Sequence, residues 1–191
     1  MLSKRLLTAA VLIPPVLGLV IWGGMPYFLF IWAAMAIGAA EFVGIAFGAA
    51  DRFSRAVAWL AIMIVGSATM YLSVFSAAVA PLLLAVFLLV FIAHLFRPAD
   101  LEGATRRLAF SVMGMVYLGL TYPFVYQIRA LPAVNGGRGW GWVLLLFGVV
   151  WLGDTGAYFA GRFLGKRKLY PLISPGKTWA GACGGLCAGF I

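Results

Sequence analysis

Gly141-Trp-Val-Leu-Leu-Leu-Phe-Gly-Val-Val-Trp-Leu-Gly-Asp-Thr-Gly-Ala-Tyr-Phe-Ala-Gly161 is followed at once by Arg162-Phe-Leu-Gly-Lys-Arg-Lys168. The first part is long and apolar enough for a membrane helix, which needs about 20 mostly apolar residues. Its one acid, Asp154, is out of place there. Insertion scales put such a charge at roughly 2.5–3.5 kcal/mol, so an acid within a span marks a site. The cations that follow suit a polyanion. The segment therefore predicts a membrane helix whose end carries an acid beside a phosphate-binding loop.

The rest of the chain agrees with a membrane setting. Of 191 residues, 64% are hydrophobic and only 10% charged, and mean hydropathy is +1.06. Soluble domains carry about 25% charged residues, so that class is excluded. A net charge of +9 invites a nucleic-acid partner, but the charges punctuate apolar segments and form no stripe, so none is expected. We read an all-α polytopic bundle, a single transmembrane domain over residues 1–191. Its six complete spans lie near 6–22, 28–47, 56–73, 81–96, 108–128 and 141–161, and a seventh starts at Ala180 and is cut off after 12 residues. The third and fourth spans also suit one broken hairpin. Lys4-Arg5 begins a first membrane helix and not a cleaved signal, because no small-x-small site follows. Pro14-Pro15 is expected to kink or shorten that helix.

Orientation follows from the cations. With the N-terminus inside, Lys4, Arg5, Arg52, Arg55, Arg97, Arg106, Arg107, Arg162, Lys166, Arg167, Lys168 and Lys177 lie inside. Only Arg129 and Arg138 lie outside, which accounts for all 14. The loop after Asp154 then faces the cytoplasm. The halves show no repeat, which weakens an inverted-repeat transporter reading.

Asp154 falls about seven residues before Gly161, roughly 10 Å from the helix end. Glu41 falls about six residues before Phe47 on the second span. The two acids are expected at similar depth, lining one pocket; the alternative is that each makes a helix-to-helix hydrogen bond or pairs with an Arg. Gly153, Ala157, Gly161 and Gly165 recur every four residues, as do Gly181, Gly185 and Gly189. Such stripes let helix backbones come close, and Asp154 and Tyr158 flank the first. Ser174-Pro-Gly-Lys-Thr178 looks superficially like a P-loop, but the first glycine of that motif would fall at Pro171, and no strand is expected before it. Lys177, Ser174 and Thr178 nonetheless carry phosphate-binding groups, and Thr178 is also a candidate helix cap. The cations also serve as anchors to anionic headgroups. Cys183 and Cys187, four apart, are read as packing residues, because one helical turn is poor disulfide geometry. His94 is given no catalytic role.

Asp154-Thr-Gly-Ala-Tyr-Phe-Ala-Gly-Arg162, Gly165-Lys166 and Ile173-Ser-Pro-x-Lys-Thr-Trp179 together resemble the phosphatidate cytidylyltransferases, or CDP-diacylglycerol synthases, over roughly residues 151–181. Where that family has Lys-Lys-Thr-x-Glu-Gly, this chain has Gly176-Lys-Thr-Trp-Ala180-Gly. The family's C-terminal Lys-Asp, His-Gly-Gly and Asp-Arg-x-Asp elements would fall beyond Ile191. The resemblance implies a bacterial inner-membrane enzyme that transfers CMP from CTP to phosphatidate. It implies Mg²⁺ as cofactor, with Asp154 as catalytic residue and either a metal ligand or a group that holds one. Lys166 and Lys177 match the family pattern and are assigned to substrate phosphates; Arg162, Ser174 and Thr178 are read with them from their own chemistry, and Glu41 and Tyr158 as pocket residues from their positions relative to Asp154. Membrane lipids and a second copy of the chain are the further expected partners. The 191 residues alone are expected to be inactive, and the rival reading is a truncated, non-catalytic paralogue or scaffold.

Overall fold

The computed structural model describes residues 2–72, 76–96, 101–132 and 139–190, with side chains from Val11 onward except those of Leu101 and Glu102. The side chains of Lys4 and Arg5, and Arg97 and Arg138 altogether, lie outside the described residues. The elements are α1 (Leu2–Trp22), α2 (Gly24–Ala46), α3 (Arg52–Leu72), α4 (Val79–Leu95), α5 (Leu101–Tyr117), α6 (Thr121–Ile128), α7 (Trp140–Phe163), β1 (Lys168–Tyr170), β2 (Ser174–Thr178) and α8 (Trp179–Gly189). Four stretches are long and apolar enough to cross a membrane: Gly24–Ala46, Arg52–Leu72, Gly103–Ile128 and Trp140–Phe163. Val11–Trp22 and Val79–Leu95 are shorter apolar helices. The chain is an integral membrane protein built of helices, and it divides into two compact units, Met1–Leu131 and Pro132–Ile191.

In the first unit α3 is central and packs on α2, α4, α5 and α6. Its many buried positions include Ala58, Ile62, Val65 and Thr69. On α2 the buried residues are Tyr27, Ile31, Met35, Ala39 and Val43, one every four residues. That spacing makes a single buried ridge. The opposite face of α2 is bare and mostly apolar, with Ile37 63% and Ile45 89% exposed, and Glu41 between them is its one acid. The third and fourth predicted spans are two separate helices.

The single predicted span 108–128 is broken at Leu118–Leu120, between α5 and α6. Inside a membrane the freed backbone groups must find partners. Leu118 and Gly119 both donate to the Gly114 carbonyl, at 2.9 and 3.3 Å. The Thr69 hydroxyl donates to the Val65 carbonyl at 2.8 Å and reaches the Gly119 carbonyl at 3.3 Å. Gln127 donates its amide to the Thr69 carbonyl.

A second tie holds the far end of α1. Arg129 Nε and Nη2 donate to the carbonyls of Val20 and Ile21 at 2.7 and 3.0 Å, and the guanidinium lies 5.6 Å from the Tyr27 ring centroid. It satisfies carbonyls that a helix end leaves without partners. Gly23, between α1 and α2, has φ +74°, and a Cβ there would strike the Arg129 guanidinium. A glycine is required on both counts. Of the two effects expected of Pro14-Pro15, a shortening of α1 is not seen; the helix runs through both.

In the second unit α7 turns back through a β-hairpin into α8. Lys168 pairs with Thr178 and Tyr170 with Ser174, antiparallel, with an irregularity between. The all-α reading holds with this small hairpin added, and the expectation that no strand precedes Ser174 is corrected. The P-loop is excluded for a different reason: residues 174–178 are themselves a strand, not a loop wrapped around a phosphate.

Candidate functional site

The site is built on how closely α7 and α8 approach. A Cβ placed on Gly156 would lie 2.7 Å from the Gly184 carbonyl oxygen, and one on Gly185 would lie 3.1 Å from the Gly153 oxygen. A Cβ on Gly184 would strike Ala160. The two helices run antiparallel with backbone against backbone. The expected stripes are thus real contacts, and Gly156, Ala160 and Gly184, a row that the four-residue spacing did not single out, complete them. Cys183 and Cys187 are free and exposed on α8. They do not pack against α7, where Gly181, Gly184 and Gly185 make the contact.

Thr178 joins the hairpin to α8. It is 6% exposed, takes an extended conformation (φ −128°, ψ 155°), and caps the helix by accepting the Gly181 amide at 3.1 Å. Side chains on Gly161 or Gly165 would crowd its Oγ1, at 3.2 and 2.7 Å. These glycines therefore let the cap sit against α7. The hydroxyl accepts in the cap and keeps its proton free for donation.

Between α7, the hairpin and the first turn of α8 lies a cleft of about 550 Å³. Asp154, Tyr158 and Arg162 line it from α7, one turn apart; Leu169, Gly176, Lys177 and Thr178 line it from the hairpin; Gly181 and Ala182 line it from α8. Arg162 Nη1 donates to Tyr158 Oη at 2.7 Å, and the guanidinium lies 6.0 Å from the ring centroid. The bond spans four residues, the spacing at which helical side chains meet. Asp154 is exposed and makes no hydrogen bond or ion pair among the described residues. The cleft thus holds one free carboxylate, a guanidinium, an ammonium and a helix N-terminus, which favours anions. That set can neutralise a phosphate chain and hold one ligand position on a cation.

Five of the eight expected residues come together here: Asp154, Tyr158, Arg162, Lys177 and Thr178. Lys166 and Ser174 are not among the lining residues. Ser174 sits at the far end of β2, opposite Tyr170. Glu41 belongs to the other unit, exposed on α2. The observed helix ends put Asp154 nine residues before Phe163 on α7 and Glu41 five before Ala46 on α2. Among the described residues no group of three or more His, Cys, Asp or Glu is placed to hold a metal ion. Sequence reasoning missed Leu169, Gly176 and Ala182, whose places depend on the hairpin.

The pattern of the cytidylyltransferase family matches residues 3–191. A phosphatidate cytidylyltransferase of Pseudomonas aeruginosa is 34% identical over 190 residues, covering 97% of this chain and 67% of that protein. Those of Staphylococcus saprophyticus and Staphylococcus aureus are 43% and 42% identical over 83 residues, covering 44% of this chain and 29% of each relative. No solved structure matches. The resemblance read from residues 151–181 is borne out over nearly the whole chain.

Proposed function

The chain belongs to the cytidylyltransferase family, and on that premise we propose that it takes part in transferring CMP from CTP to phosphatidate in phospholipid synthesis. The observation that carries this reading is the 34% identity to a phosphatidate cytidylyltransferase across 97% of the chain. In the reaction a phosphate oxygen of phosphatidate attacks the α-phosphorus of CTP. The bond from the α-phosphorus to the bridging oxygen breaks, and pyrophosphate leaves with that oxygen.

Both reactants are anions, so the site must offset their repulsion and the charge that develops in transfer. Arg162 suits an equatorial phosphate oxygen, being a planar fork. The Tyr158 hydroxyl, bonded to it, holds that fork in place. Lys177 and the Thr178 hydroxyl serve the phosphates from the hairpin side. Lys166 and Ser174 remain assigned to substrate phosphates by their place in the motif. Asp154 is the carboxylate in the cleft. Mg²⁺ commonly takes one or two carboxylates and draws its other ligands from substrate phosphates and water, so a lone Asp154 fits that ion, which when bound supplies positive charge to the phosphates. In this reading the assembly includes a second copy of the chain.

The proposed setting is a bacterial inner membrane with six spans, a seventh begun at α8, and both the N-terminus and the hairpin on the cytoplasmic side. The support is the division of 12 cations to 2. Cysteines introduced at positions 4 and 168 should react with an impermeant reagent from the same side; labelling from opposite sides sinks this orientation.

The activity is tested in membranes from cells expressing the complete open reading frame that encodes these residues. Incubation with CTP, phosphatidate and Mg²⁺ should yield CDP-diacylglycerol and pyrophosphate in equal amounts. Folded protein that yields neither overturns the reading.

A further inference from the structure

A second groove lies on the first unit, between α2 and α3. It has a volume of about 390 Å³ and is lined by Ala40, Val43, Ala56, Trp59 and Leu60, with Arg55 as its one charged residue. Trp59 is held by its indole N–H, which donates to the Ala36 carbonyl at 3.1 Å, so the ring is a fixed wall. The arginine lies beside Gly44, with Arg55 Nη2 3.8 Å from where a Cβ of Gly44 would be, an ordinary contact distance.

The placement of Arg55 is not explained by helix stability. Arg52 and Arg55 stand in the first turn of α3, which holds no acid. The helix dipole disfavours cations at that end. The nearby Asp51 carboxylate is engaged as a cap, accepting the Ser54 amide at 3.0 Å. Glu41, three residues before Gly44 on α2, is exposed and does not line the groove. Arg55 makes no side-chain hydrogen bond or ion pair among the described residues. A half-buried guanidinium therefore stands over apolar walls near the end of two helices long and apolar enough to cross a membrane.

We propose that this groove holds an anionic glycerophospholipid of the surrounding membrane as a resident lipid. Its phosphate meets the Arg55 guanidinium, and an acyl chain lies along Val43, Trp59 and Leu60. Charge complementarity argues for this occupant: one cation at the mouth of an apolar groove matches a molecule with one anion on an apolar chain. Arg can take the phosphate through two parallel hydrogen bonds. The groove shares no lining residue with the cleft around Asp154, and the proposal stands whether or not the proposed reaction does.

The experiment is native mass spectrometry of the full-length protein, delipidated and titrated with phosphatidylglycerol, phosphatidylcholine or phosphatidate of matched chains. Phosphatidylglycerol and phosphatidate should both be retained about fivefold more than phosphatidylcholine, as one cation at the membrane surface implies. Arg55→Gln should remove that preference. Arg52→Gln, at an exposed residue outside the groove, should leave it. Ala56→Phe, which fills the groove while keeping Arg55, should lower retention of all three, and it still tests the site if Arg55→Gln fails to fold by size exclusion. Equal retention of phosphatidylglycerol and phosphatidylcholine by the unaltered protein overturns the proposal. So does unchanged preference in Arg55→Gln. Retention of phosphatidate alone would also overturn it, because the groove would then be selecting a substrate.

Discussion

The two units solve the same problem in opposite ways. Residues 24–128 hold together by filling space: Tyr27, Met35, Ile62, His94 and Val65 are large and fully buried. The hairpin of α7 and α8 holds together by leaving side chains out, with Gly153, Gly156, Gly181, Gly184 and Gly185 bringing backbones together. In lipid there is little hydrophobic force between helices, and close packing with hydrogen bonds does the work. A glycine interface suits a site-bearing region, since it spends no side chain on the contact and leaves the flank of α7 free for Asp154, Tyr158 and Arg162. The difference also predicts which change each region rejects: loss of volume in the first, gain of volume in the second.

The largest effect belongs to the functional flank. In the protein expressed from its complete reading frame, Asp154→Asn should cut CDP-diacylglycerol formation by about 10²–10³, the usual cost of removing a group that stabilises developing charge. Initial rates at saturating Mg²⁺ and CTP, normalised to folded protein, check this. Near-normal turnover would return Asp154 to a structural role. Next comes overpacking. Gly184→Val should cost about 3 kcal/mol, the upper part of the range for forced bulk, because the first added carbon already meets Ala160. Denaturation in mixed micelles reads it, and a neutral outcome would break the contrast between the units. Ile62→Ala, in the filled core, should cost about 2 kcal/mol, at the low end of soluble-protein values because lipid removes most of the transfer contribution. It should leave the rate per folded molecule unchanged. The smallest is Thr178→Ala, at about 1 kcal/mol, with Thr178→Ser close to the original. If alanine is silent, the cap does not hold α8 in place.

The helices were legible because lipid imposes a length and a hydropathy that few other folds share. Thr178 as a cap and the Gly153-to-Gly165 stripe were also readable, since both are local spacings. The hairpin was not. Its strands are short, rich in charge and interrupted by Pro175-Gly176, and the cations dominated any reading of them. That gap cost the placement of Ser174 and Lys166, and with it three lining residues. The break at Leu118–Leu120 was hidden for another reason: hydropathy is continuous across it, and only Gly119 hints at a change. Arg129 read as one of the two cations counted outside; its bonds to Val20 and Ile21 join residues 109 and 108 apart in sequence, which no local pattern carries.

That interruption of the fifth span has a consequence for exchange. Residues outside regular helices usually give up their amide protons quickly, because opening them disturbs little else. Here the Leu118 and Gly119 amides share the Gly114 carbonyl, and the Gly119 carbonyl faces a hydroxyl on α3 whose own residue is held by Gln127. Freeing one strains the next, and no water waits in lipid to replace the lost bonds. The join between α5 and α6 is thus a gap in helical order without being a gate for solvent, and in kinetic terms it opens with the core.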